Sequence, residues 1–188
     1  MTDIGKKHFV NGNSLCKPFP EECHQLIVAM GCFWGVEKLF WQAEGVYSTS
    51  AVYIGGTAVD PTYQEVCTGT TGHTEGVLIV YEPLKISTKE ILKSFWEGHD
   101  PTQYMRQGND IGSQYRSAVF FSDDETLRLI HETKAEYQKE LKQSGYGEIV
   151  TEVIPVEHFY YAEDYHQQYL AKNPNGYCGL GGTGVCLN

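Results

Sequence analysis

Short apolar runs and longer stretches of helical periodicity take turns along this chain, and their order predicts its architecture. Residues 25–30 form a compact apolar run suited to a strand, and Val36, Leu39 and Phe40 then fall at helical spacing until Gly45. Residues 46–54 alternate as a strand and stop at Gly55-Gly56; from there to Gly72 the pattern predicts a long loop with one helical turn around residues 63–67. Residues 74–81, carrying Val77, Leu78, Ile79 and Val80, read as a central strand that Pro83 ends. Ser87 with Glu90 forms a capping box, opening a helix whose buried face is Ile91, Leu92, Phe95 and Trp96. After a second loop, residues 99–113, a strand is expected over 115–121. Ser122 with Glu125 then reads as a capping box for the longest helix, striped by Leu127, Ile130, Tyr137 and Leu141 and ended by Gly145. Residues 149–156 are the last predicted strand, and a short helix follows over about 162–171, before Pro174.

This order predicts an α/β (α+β) two-layer sandwich with a ferredoxin-like β-α-β-β-α-β core, its sheet mixed but mostly antiparallel and its helices on one face. The 188 residues fit one catalytic domain, divided into an irregular N-terminal arm (1–24), the α/β core (25–172) and a mobile, coiled, glycine-rich tail (173–188). Hydrophobic residues make up 41% of the chain, enough for an ordinary core. A formal net charge of −10 argues against nucleic acid or an anionic membrane as partner. No run of about 18 apolar residues occurs and the N-terminus lacks a signal-peptide pattern, so the expected location is cytoplasmic.

The six cysteines are too sparse for a disulfide scaffold, and no C-x-x-C occurs that would suggest a zinc knuckle or a thioredoxin-like dithiol. One of them stands out. In Gly31-Cys32-Phe33-Trp34-Gly35 a thiol sits between glycines and beside two large rings, at an expected strand-to-helix turn where the helix dipole favours the thiolate. A buried, inert thiol is the bland alternative for Cys32. The loop Gly72-His73-Thr74-Glu75 delivers Glu75 to the start of a strongly apolar strand, where partial burial would raise its pKa and make it a proton donor; His73 is a second acid-base candidate, and an ordinary surface role for Glu75 is the third reading. Tyr63 and Tyr115 flank the two loops, but among 13 tyrosines any chosen pair is more often packing than chemistry. On the tail, Cys178 and Cys186 lie in a segment too glycine-rich to bury a thiol by itself, which suits a sulfur that must swing toward an oxidised cysteine.

With those residues in view, the sequence resembles the A-type peptide methionine sulfoxide reductases. The resemblance is carried by Gly31-Cys32-Phe33-Trp34-Gly35, Pro61-Thr62-Tyr63, Gly72-His73-Thr74-Glu75, His99-Asp100-Pro101, Gln107-Gly108-Asn109-Asp110 with Gln114-Tyr115-Arg116-Ser117, and the run from Tyr161 through His166 to Leu170. The terminal Gly176-Tyr177-Cys178-Gly179 through Cys186 is similar to the forms with two recycling cysteines. The resemblance implies that Cys32 attacks the sulfoxide sulfur, that Glu75 protonates the sulfoxide oxygen, and that Tyr63 and Tyr115 hydrogen-bond it. Phe33 and Trp34 would form the apolar pocket for the terminal methyl group, with Tyr177 closing it, and Asp110 and His166 would hold the polar side of the substrate. It further implies action on the S epimer of free and protein-bound methionine sulfoxide and a Cys32 sulfenic acid resolved by Cys178. Cys186 would then exchange with Cys178, with thioredoxin as external reductant and no bound cofactor or metal; apart from the resemblance, a monomer is expected. Val52 stands where the family often has glycine, and Cys16, Cys23 and Cys67 receive no role. Two other functions compete: a cysteine hydrolase or acyltransferase pairing Cys32 with His166 or His73 and Asp110, and a redox-sensing binding module gated by its tail thiols.

Overall fold

In the computed structural model, which describes residues 4–187, one six-stranded mixed sheet organises the chain. Its elements run β1 (His24–Met30), α1 (Phe33–Trp41), β2 (Val46–Ile54), α2 (Tyr63–Cys67), β3 (Thr74–Tyr81), α3 (Thr88–Gly98), β4 (Arg106–Gln107), β5 (Asp110–Ile111), a 3-10 turn (Ser113–Tyr115), β6 (Ser117–Phe121), α4 (Asp124–Gln143), β7 (Glu152–Pro155), β8 (Phe159–Tyr161) and α5 (Tyr169–Lys172). The strand order is β7-β6-β1-β3-β2-β8, with every pairing antiparallel except β6 with β7. β3 lies between β1 and β2 and is buried at all of its residues, as its unbroken apolar run requires.

Strand periodicity divides the core in two. Leu26, Val28, Met30, Ala51, Tyr53, Val77, Ile79 and Val119 face the helices, where Phe33, Phe40, Phe95 and Trp96 pack on them. The alternate residues Ile27, Ala29, Val52, Ile54, Leu78, Val80 and Phe120 face the other way and are covered by Phe19 of the N-terminal arm and by Val156 and Phe159. Full burial of each large aliphatic or aromatic side chain contributes about 1.5–3 kcal/mol, and the helix face holds most of them. Glu75 shares the parity of Val77 and Ile79 and so points into the helix layer.

Several boundaries differ from expectation. The longest helix is capped by Asp123, which accepts the Thr126 N–H at 2.8 Å, one residue later than a Ser122 cap; Glu125 instead pairs with Arg128 on the exposed face. The expected strand over 149–156 shortens to β7, because the Ile149 N–H is taken by the Gln138 side chain and the Val150 N–H by the Pro101 carbonyl. The helix expected over 162–171 is mostly turns. Gln167 accepts the Ala51 N–H and donates to the Ala51 and Ala162 carbonyls, standing in for a strand residue beside β2, and Gln168 is left-handed at φ 49°, so only α5 is helical. β8 and the β4-β5 hairpin were not foreseen.

The tail lies against the helix layer. Tyr146 donates to the Thr183 carbonyl at 2.9 Å, Tyr137 to the Val185 carbonyl at 3.1 Å, and the Leu187 N–H reaches Glu97 Oε1 at 2.6 Å, with the Leu187 side chain buried. Gly182 is required there, since a Cβ would overlap the Glu97 carbonyl oxygen. No helix among the described residues is long and apolar enough to cross a membrane.

Candidate active site

The end of β1 and the start of α1 place Cys32 as the N-cap residue of that helix. The N–H groups of Trp34 and Gly35 point at its sulfur and favour the thiolate, as a helix N-terminus should. They do not prevail. Burial pushes the Cys32 thiol far above its ordinary value, and Glu75, once ionised, and Asp110 push it further. Burial and the neighbouring carboxyl groups thus act against the depression that a helix N-terminus favours at this thiol, because the terminus is enclosed and shared with those groups.

Glu75 is the first of those groups. It is 1% exposed, and its Oε2 accepts the Phe33 N–H at 3.0 Å, so the first helical donor of α1 is spent on the acid. Burial raises its pKa to about 8, with the Phe33 hydrogen bond opposing and Asp110 adding to the rise. The result is a carboxylic acid that keeps its proton at neutral pH beside a thiol on the same helix end.

Tyr63 opens α2, and Tyr115 closes the 3-10 turn before β6. Burial first and Glu75 second raise both phenols, and Tyr115 adds a smaller rise at Tyr63. The Tyr63 hydroxyl also bonds the Cys67 thiol. Tyr115 is fixed through its neighbour Arg116, which is 7% exposed and donates to the carbonyls of Ser113, Gly55 and Gly72 and to Glu152 at 3.0 Å, joining the loops on either side of the site. Arg116 lies within the Gln114-Tyr115-Arg116-Ser117 motif, but its residue type alone does not mark it as the tie between these loops.

Phe33 is buried, 5.0 Å from the His166 ring, and Trp34 stacks on Tyr169 at 3.9 Å while its indole N–H donates to His166 Nδ1 at 3.0 Å. The Trp34 bond assigns the proton of neutral His166 to Nε2, a buried atom with no protein partner, and burial lowers this imidazole to about 4. His73, the other imidazole considered for acid-base work, accepts the Gly56 N–H with Nδ1 and lies 2.7 Å from the Ala58 carbonyl through Nε2, so both nitrogens brace the loop. Neither histidine is arranged as a base for Cys32. Asp110, on β5, accepts the Tyr177 hydroxyl at 3.3 Å, which ties the tail to the hairpin. Cys178 Sγ lies over the first turn of α1, 3.1 Å from where a Cβ on Gly35 would stand, and Cys178 and Cys186 are both exposed and unpaired by any disulfide. Among the described residues no group of three or more His, Cys, Asp or Glu side chains could hold a metal ion.

The family model described as peptide methionine sulfoxide reductase matches residues 24–183, which spans every element of the site except the last tail cysteine. The chain belongs to the peptide methionine sulfoxide reductase family. It is 60% identical to peptide methionine sulfoxide reductase MsrA 1 of Caulobacter vibrioides over 178 residues, covering 95% of this chain and 82% of the relative. A Synechocystis relative named MsrA 1 is 58% identical over 182 residues, covering 97% of this chain and 82% of its own. Among solved structures, methionine sulfoxide reductase A of Corynebacterium diphtheriae superposes with a TM-score of 0.82 at 40% identity, covering 92% of this chain and 84% of that one. Reduced Mxr1 of Saccharomyces cerevisiae gives 0.77 at 33% identity, with 87% and 92% covered. This reductase is an oxidoreductase that uses thiol chemistry to reduce methionine sulfoxide, on an α/β fold shared with solved members of the family.

Proposed function

We propose that Cys32 is the nucleophile of this reductase and Glu75 its acid. The observation that carries the assignment is the buried Glu75 carboxyl, raised to about 8 and bonded to the N–H next to Cys32. A sulfoxide oxygen leaves sulfur readily only when protonated, so a neutral acid beside the attacking sulfur is the required pairing. Tyr63 and Tyr115 hold that oxygen, Phe33 and Trp34 receive the methyl group, and Tyr177, Asp110 and His166 line the remaining wall. The substrate is the S epimer of methionine sulfoxide, free or within a protein.

In the first step the Cys32 thiol and the sulfoxide give Cys32 sulfenic acid and methionine, with the oxygen passing to Cys32 and no net proton consumed. Cys178, whose sulfur lies over the first turn of α1, condenses with the sulfenic acid to a disulfide and releases water. Attack by Cys186 on Cys178 then frees Cys32 and leaves a disulfide on the tail. Thioredoxin reduces that disulfide; Mxr1 of Saccharomyces cerevisiae, which shares the fold, has been solved in complex with Trx2. No bound cofactor is needed, and the protein works as a soluble cytoplasmic monomer.

One rapid-quench experiment with thiol counting tests the scheme. Cys32→Ser should form no methionine, whereas Cys178→Ser should release about one methionine per enzyme and then stop when thioredoxin is the reductant. Turnover by Cys32→Ser, or no first turnover by Cys178→Ser, would overturn the assignment.

A further inference from the structure

We infer that Glu163 is a positioning residue that sets Tyr63 against the reacting oxygen; this rests on the reading of Tyr63 as one of the two phenols that bind the sulfoxide. Glu163 follows β8, and its two carboxylate oxygens face different elements. Oε1 accepts the Tyr63 N–H at 2.8 Å, and Oε2 accepts the Tyr53 hydroxyl at 2.8 Å. Tyr53 is fully buried in β2, where its backbone lies in register with Glu75 on one side and Tyr160 on the other. One carboxylate therefore ties the strand registered on the acid to the helix that carries the phenol.

α2 needs this tie. It is five residues long, Val66 is its one buried residue, and the capping box between Thr62 and Glu65 that opens it faces solvent. A helix so short is not stable through its own hydrogen bonds. The Tyr63 N–H is the first helical donor and has no partner within the helix, so Glu163 satisfies it while opposing the positive helix end. Three residues further on, the His166 ring packs on the Tyr63 ring with centroids 4.4 Å apart. Glu163 thus fixes the main chain of Tyr63 while His166 fixes its ring. Loss of the first contact leaves the phenol correctly made but misplaced, and misplacement of about 1 Å is enough to cost a large factor in rate.

The test is a double-mutant cycle on the single-turnover rate of methionine formation, with Tyr63→Phe as the background. Glu163→Ala should slow that rate about tenfold or more, mainly in kcat and not in KM. Glu163→Gln should recover to within about threefold of wild type, because a carboxamide oxygen still accepts the Tyr63 N–H. In the Tyr63→Phe background Glu163→Ala should add no further slowing. Tyr53→Phe removes the other arm alone and keeps the carboxylate; it should show a smaller loss that also vanishes in that background. Equal slowing by Glu163→Ala and Tyr53→Phe with or without the Tyr63 hydroxyl would overturn the positioning role. A Tyr63→Phe enzyme that forms methionine at the wild-type rate would instead overturn the reading of Tyr63 itself.

Discussion

At Cys32 two effects oppose each other, and burial wins over the helix terminus. The N–H groups of Trp34 and Gly35 favour the thiolate, yet desolvation and the adjacent carboxyl groups hold the proton on sulfur. Glu75 is raised as well, to about 8, so the resting pair is a thiol beside a carboxylic acid. When the pair loses one proton, the proton that remains stays on sulfur, whose pKa is the higher of the two, and the acid is gone. The single-turnover rate should therefore be level up to about pH 8 and fall above it. Glu75→Gln should slow the step by about 10²–10⁴-fold, the usual contribution of a general acid, and should remove the fall. A wild-type rate that continued to climb from pH 8 to 9 would contradict the acid role. Glu75 could be picked out in the sequence because it heads the apolar run of β3. The direction of the Cys32 shift could not, since the groups that enclose and oppose its sulfur, Glu75 and Asp110, come from distant parts of the chain.

Elements with strong local signals stand where the sequence put them. The Ser87–Glu90 capping box opens α3, the helical turn within the first loop is α2, and the bounds of β2 and β3 agree with their apolar patterns. Elements held by distant partners were misread. A helix is expected over about 162–171, but the Gln167 side chain bonds to Ala51 and the chain turns through residue 168 instead. The tail, too, has partners its glycines do not announce: Gly182 permits close contact with the α3 carbonyl of Glu97, and Tyr137, Tyr146 and Glu97 bind the backbone that follows. Gly182→Ala should lift this segment off α3, expose Leu187 and forfeit about 1.5–3 kcal/mol of local burial. Limited proteolysis should then cut within residues 176–187 much faster than in wild type, with the rest of the fold intact. Unchanged cleavage would show that the tail does not depend on this contact.

Across the whole molecule, the shifted buried histidines and glutamates act in opposite directions on how stability responds to pH. Burial lowers His8, His99 and His166 to about 4. Burial raises Glu37 to about 7, against hydrogen bonds from Gln168 and Thr49, and raises Glu75 to about 8. A histidine with a depressed pKa contributes stability that is complete above its unfolded value of 6.5 and lost as pH falls toward 4. A carboxyl group with a raised pKa contributes stability that is complete below its unfolded value of 4.5 and lost as pH rises through its folded value. Between pH 4.5 and 6.5 the three histidines bind more protons when unfolded and the two glutamates fewer, so the histidines prevail and stability rises. Above 6.5 the glutamates outweigh the fading histidine contribution and stability falls through pH 7 and 8. Urea melts from pH 4 to 9 should therefore show a maximum near about pH 6.5, with a steep acid side and a gentler alkaline one. Glu37→Gln combined with Glu75→Gln should flatten the alkaline side and leave the acid side steep, because a neutral amide carries no proton linkage. Wild-type stability that kept rising beyond pH 7.5 would mean that these two carboxyl groups are ionised in the folded protein, and would remove the proton that Glu75 is held to donate.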